Sequence, residues 1–130
     1  MARSFEFGLD LHSGVPVYRQ IIDQVLGGIA AGSLHAGDRL PTVRQLAVDL
    51  SVNPNTVIRA YRELEIREVL TTHQGTGTFI TDRKPELDDA ERQRRLAQIA
   101  GEVMAKAGAE GFTLQELIRR LREMSSERGK

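Results

Sequence analysis

Asn55, Thr56, Arg59 and Arg62 follow one another at steps of one, three and three, so on a helix they share one side. Short hydrogen-bonding groups come first and long cations follow. Side chains of this kind hydrogen-bond to base edges and grip phosphates. No comparable set points to catalysis. His12, His35 and His73 fall in separate loops without a carboxylate at ligand spacing, and no His-x-x-x-His pair exists. Each is expected at the surface, with His73 placed where it could also touch a nucleic acid. Cysteine is absent, which removes thiol catalysis and disulfides and fits a reducing cytoplasm. The reading is therefore of a binding protein with no enzymatic role, no cofactor and no metal.

The elements that must position this set are two helices and a turn. Thr42 and Gln45 form a capping box that starts a helix, with Leu46, Ala47 and Leu50 on its apolar side. Ser51 and Val52 make a tight turn. Asn53 is an N-cap and Pro54 sits at the first helical position, where its missing N–H costs nothing. Val57, Ala60, Tyr61 and Leu64 then form a buried stripe, and the helix is expected from Asn53 to Glu65. The opposite side carries Asn55, Thr56, Arg59 and Arg62. This is a helix-turn-helix whose second helix would enter a DNA major groove, although an ordinary αα-hairpin has the same outline.

A hairpin after these helices favours the first reading. Val69–Thr72 and Thr78–Thr81 read as strands, joined by His73-Gln74-Gly75-Thr76-Gly77. Helix, helix, hairpin is the order of a winged helix-turn-helix. Glycines in the wing tip let the main chain approach a phosphate closely. Gly-Thr-Gly is a poor nucleotide loop, because it lacks the strand-to-helix context and a following lysine.

Three blocks carry a family resemblance: Gly37-Asp38-Arg39-Leu40-Pro41-Thr42-Val43-Arg44-Gln45-Leu46-Ala47, Val52-Asn53-Pro54-Asn55-Thr56-Val57, and Gln74-Gly75-Thr76-Gly77-Thr78-Phe79-Ile80. In this order and spacing they resemble the GntR family of bacterial transcription regulators, over residues 9–81. The run from Val15 to Ile21 and the Asn-Pro-Asn-Thr-Val segment further resemble its YtrA-like subgroup, which has only a short helical tail after the wing. The resemblance implies that Arg44 grips phosphate or reaches a base, that Asn53, Asn55 and Thr56 lie at the groove, and that Gln74, Gly75 and Thr76 form the wing tip. Three positions depart from the family pattern. Ile58 replaces a common arginine, Asn53-Pro54 replaces Ser/Thr-Arg, and Glu68 stands where glycine is common. The first makes Arg59 the nearest substitute cation, and the last predicts a different turn into the wing.

The 130 residues carry 18 basic and 18 acidic side chains and no formal net charge. DNA-binding domains are often basic, so affinity for random DNA should be modest and a dimer would be needed to gather phosphate contacts. Between Ser51 and Arg62 there are two arginines and no acid. Residues 1–15 contain no apolar core of signal-peptide type, and no apolar run is long enough for a membrane span.

Before the two helices, residues 16–32 read as a first helix, with Val17, Tyr18, Ile21, Ile22, Val25, Leu26 and Ile29 as its core stripe. Gly27-Gly28 there is read as close packing against a neighbour, and Gly32 as the stop. Phe5, Phe7 and Leu9 alternate, as a short strand or a packed arm would. After the wing, Asp82–Glu86 is a linker. A fourth helix is expected from Asp88 to Ala107, stopped by Gly108. A second capping box, Thr113 with Glu116, starts a short fifth helix that ends near Met124, with residues 125–130 frayed. Arg92–Arg95 and Arg119–Arg122 are read as solvated helix faces.

The expected architecture is mainly α with a small β-hairpin: a winged helix-turn-helix over 1–81, a linker over 82–86, and a two-helix dimerisation tail over 87–130. The expected function is a homodimeric repressor on an inverted-repeat operator in double-stranded DNA. The alternative is a winged-helix module that binds protein, which zero net charge favours. A small-molecule effector would have room only beside the tail or at a dimer interface, and no residue identifies one.

Overall fold

In the computed structural model, residues 5–82 and 84–129 are described. The chain divides into two compact units, one carrying the elements up to the wing and one beginning at Lys84. The first contains α1 (Val17–Ala31), β1 (Arg39–Leu40), α2 (Val43–Leu50), α3 (Pro54–Ile66), β2 (Leu70–His73) and β3 (Gly77–Ile80). The second contains α4 (Asp89–Ala109) and α5 (Leu114–Gly129).

The stripes read from the sequence build the core of the first unit. Ile21, Ile22 and Val25 of α1, Leu46 and Ala47 of α2, and Val57, Ala60, Tyr61 and Leu64 of α3 are buried together with Leu34, Leu40, Leu70 and Ile80. Val17, Tyr18, Leu26 and Leu50 pack at its edge, whereas Ile29 is exposed. Tyr61 is buried with its hydroxyl donating to the Pro41 carbonyl oxygen at 2.7 Å. Burial pushes its pKa above the usual tyrosine range, because ionisation would leave a charge in the core.

Gly32 ends α1 in the left-handed conformation (φ 84°). Of the two earlier glycines, Gly28 is the tightly packed one: a Cβ there would lie 2.7 Å from the Phe5 ring. Gly27 faces open space, so close packing explains only its neighbour. The segment holding Phe5 and Phe7 is an arm rather than a strand. Both rings pack against the core, edge to face at 5.0 Å. Buried Gln20 straps the following residues to α1. Its Nε2 donates to the Asp10 and Val15 carbonyls, each at 2.9 Å, and its Oε1 accepts from the Asp10 amide. Gln24 makes a reciprocal pair with the main chain of Gly8.

The sheet has three strands in the order β1-β3-β2, antiparallel throughout. The hairpin expected from the sequence is there, each strand offset by one residue. The additional edge strand β1 is two residues long, too short to show an alternating pattern. It is recruited by pairing, Arg39 with Phe79 and Leu40 with Thr78.

In the second unit, α4 runs through Gly108 to Ala109, so that glycine does not stop it. Gly111 takes the left-handed φ of 87° instead. Asp88 caps α4 by accepting from the Glu91 amide at 2.8 Å. The expected Thr113–Glu116 capping box forms in both directions. α5 extends past Met124 through Gly129. No residue of α4 is buried, and Leu96, Ile99, Met104, Leu121 and Met124 are exposed.

Candidate nucleic-acid interface

The interface is assembled from α2, α3 and the wing. The α2 capping box is complete: Thr42 Oγ1 accepts from the Gln45 amide at 3.1 Å, and Gln45 Oε1 accepts from the Thr42 amide at 2.9 Å. This fixes the start of α2 and places Arg44 in its first turn, exposed. Ser51 turns the chain with φ 57°, a left-handed conformation that costs a non-glycine residue roughly 1 kcal/mol. Asn53 Oδ1 then accepts from the Asn55 amide at 2.8 Å and caps α3. That oxygen serves the helix, so the Asn53 side chain has its NH2 group left to offer outward.

Beyond the cap, Asn55, Arg59 and Arg62 are exposed along one side of α3, and Thr56 is half-buried at its margin. Ile58, standing where the family often has arginine, is also half-buried. Among the described residues no carboxylate pairs with Arg44, Arg59 or Arg62. The acids of α3 are engaged elsewhere. Glu63 pairs with Arg67 at 3.0 Å, and the Glu65 carboxylate accepts from the Thr72 hydroxyl. The second bond also ties β2 to the end of α3, and so sets the wing beside the recognition surface.

The turn into the wing does not differ from the glycine pattern. Glu68 itself takes the left-handed conformation, φ 64°, while the Val69 amide donates to the Leu64 carbonyl at 2.8 Å. That bond closes the helix end as a glycine at the same place would. Along the hairpin, Thr72 and Thr78 pair in register with their hydroxyls 3.1 Å apart. Gln74, Gly75 and Thr76 form the exposed tip, with Gly75 at φ 81°. His73 lies beside Phe79, ring centroids 5.9 Å apart, and is exposed.

Two residues join this set without having been singled out for it. Arg39 lies across the base of the wing: a Cβ on Gly77 would fall 2.8 Å from its Nε. Gly77 is therefore small for Arg39 as well as for its own φ of 133°. Arg39 and Arg44 line the same open cleft of about 790 Å³, with Gln45 and one acid, Asp49. Tyr18, read from the sequence as a core residue, is half-buried. The Arg59 guanidinium carbon stands 3.7 Å from its ring centroid. Arg39 had a signal in its charge and its place in the first motif block. The Tyr18 contact had none, because it joins separate helices.

No group of three or more metal-ligating side chains occurs among the described residues. No helix among them is long and apolar enough to cross a membrane.

Comparison with known proteins identifies a family and a fold for the chain. A family model described as bacterial regulatory proteins, gntR family, matches residues 17–80. An HTH-type transcriptional regulator of Mycobacterium tuberculosis is 42% identical over 113 residues, covering 87% of this chain and 88% of that protein. The HTH-type transcriptional repressor YtrA of Bacillus subtilis is 32% identical over 119 residues, covering 92% of each. Among solved structures, a transcriptional antiterminator from Listeria monocytogenes superposes with a TM-score of 0.68 at 28% identity, covering 98% of this chain and 96% of the other.

Proposed function

The chain belongs to the GntR family of bacterial regulatory proteins, and on that premise we propose that it is a sequence-specific DNA-binding transcription regulator acting in the cytoplasm as a homodimeric repressor. The observation that carries the reading is the exposed side of α3, where Asn55, Arg59 and Arg62 face outward, with no acidic partner among the described residues, beside a wing tied to the same helix. α3 enters the major groove, where Asn55 and Thr56 meet base edges near the helix start and Arg59 and Arg62 reach base or phosphate. The wing tip, Gln74, Gly75 and Thr76, lies along the adjacent minor groove or its backbone. Arg44 grips phosphate from the start of α2, and the Asn53 NH2 group is offered from the start of α3.

The dimer reading rests on the second unit. α4 buries no residue, yet Leu96, Ile99, Val103 and Met104 recur on it at helical spacing and are exposed. A contiguous apolar stripe on a soluble helix marks a contact surface. A second copy of the chain supplies the matching stripe, and a two-fold pair places two recognition helices on half-sites about one helical turn, or a small multiple, apart.

The test is selection of bound sequences from a random double-stranded DNA pool at about 0.15 M salt. The expected result is enrichment of an inverted repeat. Enrichment of a single half-site would refute the two-fold pairing. Folded protein that enriches nothing would refute sequence-specific binding and favour a winged helix that binds protein.

A further inference from the structure

We propose that Tyr18 is a positioning residue for DNA reading: its ring is a fixed platform that pre-sets Arg59 before DNA arrives. This rests on the DNA-binding reading of α3 given above.

Arg59 is a long, exposed side chain on a helix surface, with many rotamers open to it. Here one face of its guanidinium lies on the Tyr18 ring at 3.7 Å. A cation is held there by the ring quadrupole. The platform is rigid because Tyr18 packs against the core on the same stripe as Ile21 and Ile22. The manner of holding matters. An ion pair would occupy the N–H donors of the guanidinium. Stacking occupies its face and leaves the donors at its edge free. No acid competes for those donors among the described residues. The stack is not needed to join the helices, since Ile21, Val25, Val57 and Leu64, all fully buried, already close α1 against α3. What it adds is a fixed direction for Arg59, which it holds against α1. α1 thereby becomes part of the reading head although it enters no groove.

The experiment compares wild type, Tyr18→Phe, Tyr18→Leu, Arg59→Ala and the double variant Tyr18→Leu/Arg59→Ala on the duplex selected by wild type and on single-base variants of it. Tyr18→Phe keeps the ring and should bind like wild type. Tyr18→Leu should bind about three- to tenfold more weakly, the effect of having to order one long side chain on binding. It should relax discrimination at the same base pair as Arg59→Ala. In the Arg59→Ala background Tyr18→Leu should add nothing, because no side chain remains to be positioned. An equal loss in both backgrounds, or no loss in either, would overturn the positioning role. If wild type prefers no duplex, the DNA reading itself fails and this role goes with it. Should Tyr18→Leu not fold, nuclear magnetic resonance of wild type decides the matter. Ring-current-shifted Arg59 side-chain signals in the free protein, retained in the complex, support the platform. Signals typical of a solvated arginine in the free protein refute it.

Discussion

Helices in the two units begin in opposite ways. α4 starts with Asp89 and Glu91 in its first turn and ends with Lys106; α5 starts with Glu116. These charges complement the helix dipole, positive at the N-terminus and negative at the C-terminus. α1, α2 and α3 have no acid in the first turn, and α2 has Arg44 there instead. A cation at that end is electrostatically unfavourable in the free protein. Burial runs the other way. The first unit closes a core in which Ile21, Val25, Val57, Ala60 and Leu64 have no exposure, while α4 buries nothing. The tail therefore has well-capped helices that leave large apolar side chains exposed, Leu96, Ile99 and Met104 among them. The winged unit has a finished core, with helix starts that lack anions. Under the proposed function, the tail's exposed apolar side chains would meet a second chain, and the winged unit's helix starts would meet phosphate.

The largest effect should come from the core. Leu64→Ala should cost about 2–5 kcal/mol, whereas Leu96→Ala, at a position 58% exposed, should cost under about 1 kcal/mol in dilute protein. Thermal melts at two protein concentrations check this. A concentration-independent loss for Leu96→Ala as large as that for Leu64→Ala would mean that the tail has its own closed core, and the contrast would fail.

Arg44→Glu sharpens the electrostatic half. In the free protein it should stabilise the fold by about 0.3–1 kcal/mol, by matching the dipole. DNA binding should weaken about tenfold or more on every sequence, with a salt slope lower by about one. Melting curves and a salt titration read the two effects separately. A loss of stability would instead make Arg44 part of the fold.

A smaller change, Tyr61→Phe, probes the core at a buried hydroxyl. Losing the bond to the Pro41 carbonyl should cost about 1 kcal/mol near neutral pH. The pH dependence has a definite sign. The unfolded chain releases the Tyr61 proton near pH 10, while burial holds it on in the fold. The stabilisation is therefore complete below about pH 10 and lost as pH rises beyond it. The gap between wild type and Tyr61→Phe should narrow between about pH 9 and pH 11, as denaturant titrations would show. A gap that widens would contradict the burial argument.

Much of the fold was legible because its signals are short in range. The Thr42–Gln45 and Thr113–Glu116 boxes, the Asn53 cap with Pro54, and the apolar stripes all lie within a few residues of the structure they set. Two positions behave otherwise than their residue types suggest. Gly108 has the residue type of a helix stop, yet it sits inside α4, since a lone glycine costs a helix only about 1 kcal/mol. Glu68, as a non-glycine residue, predicts an altered turn into the wing, yet it takes the glycine conformation, because the core fixes where Leu64 and Val69 must go. At the interface, the sequence picked out Asn55, Arg59 and Arg62 as an exposed side. Asn53 is legible from the sequence both as the α3 cap and as a groove residue, and its oxygen is committed to the cap.

Five helices, the two hairpin strands, the buried faces of α1, α2 and α3, and the polar side of α3 are all written in the sequence. Periodicity and capping are properties of neighbouring residues. The tertiary structure alone decided that β1 joins the wing, that Arg39 lies over Gly77, that Gln20 straps the arm to α1, and that Tyr18 lies under Arg59. Each of these joins residues far apart in the chain through packing or a hydrogen bond, and no local pattern encodes the partner.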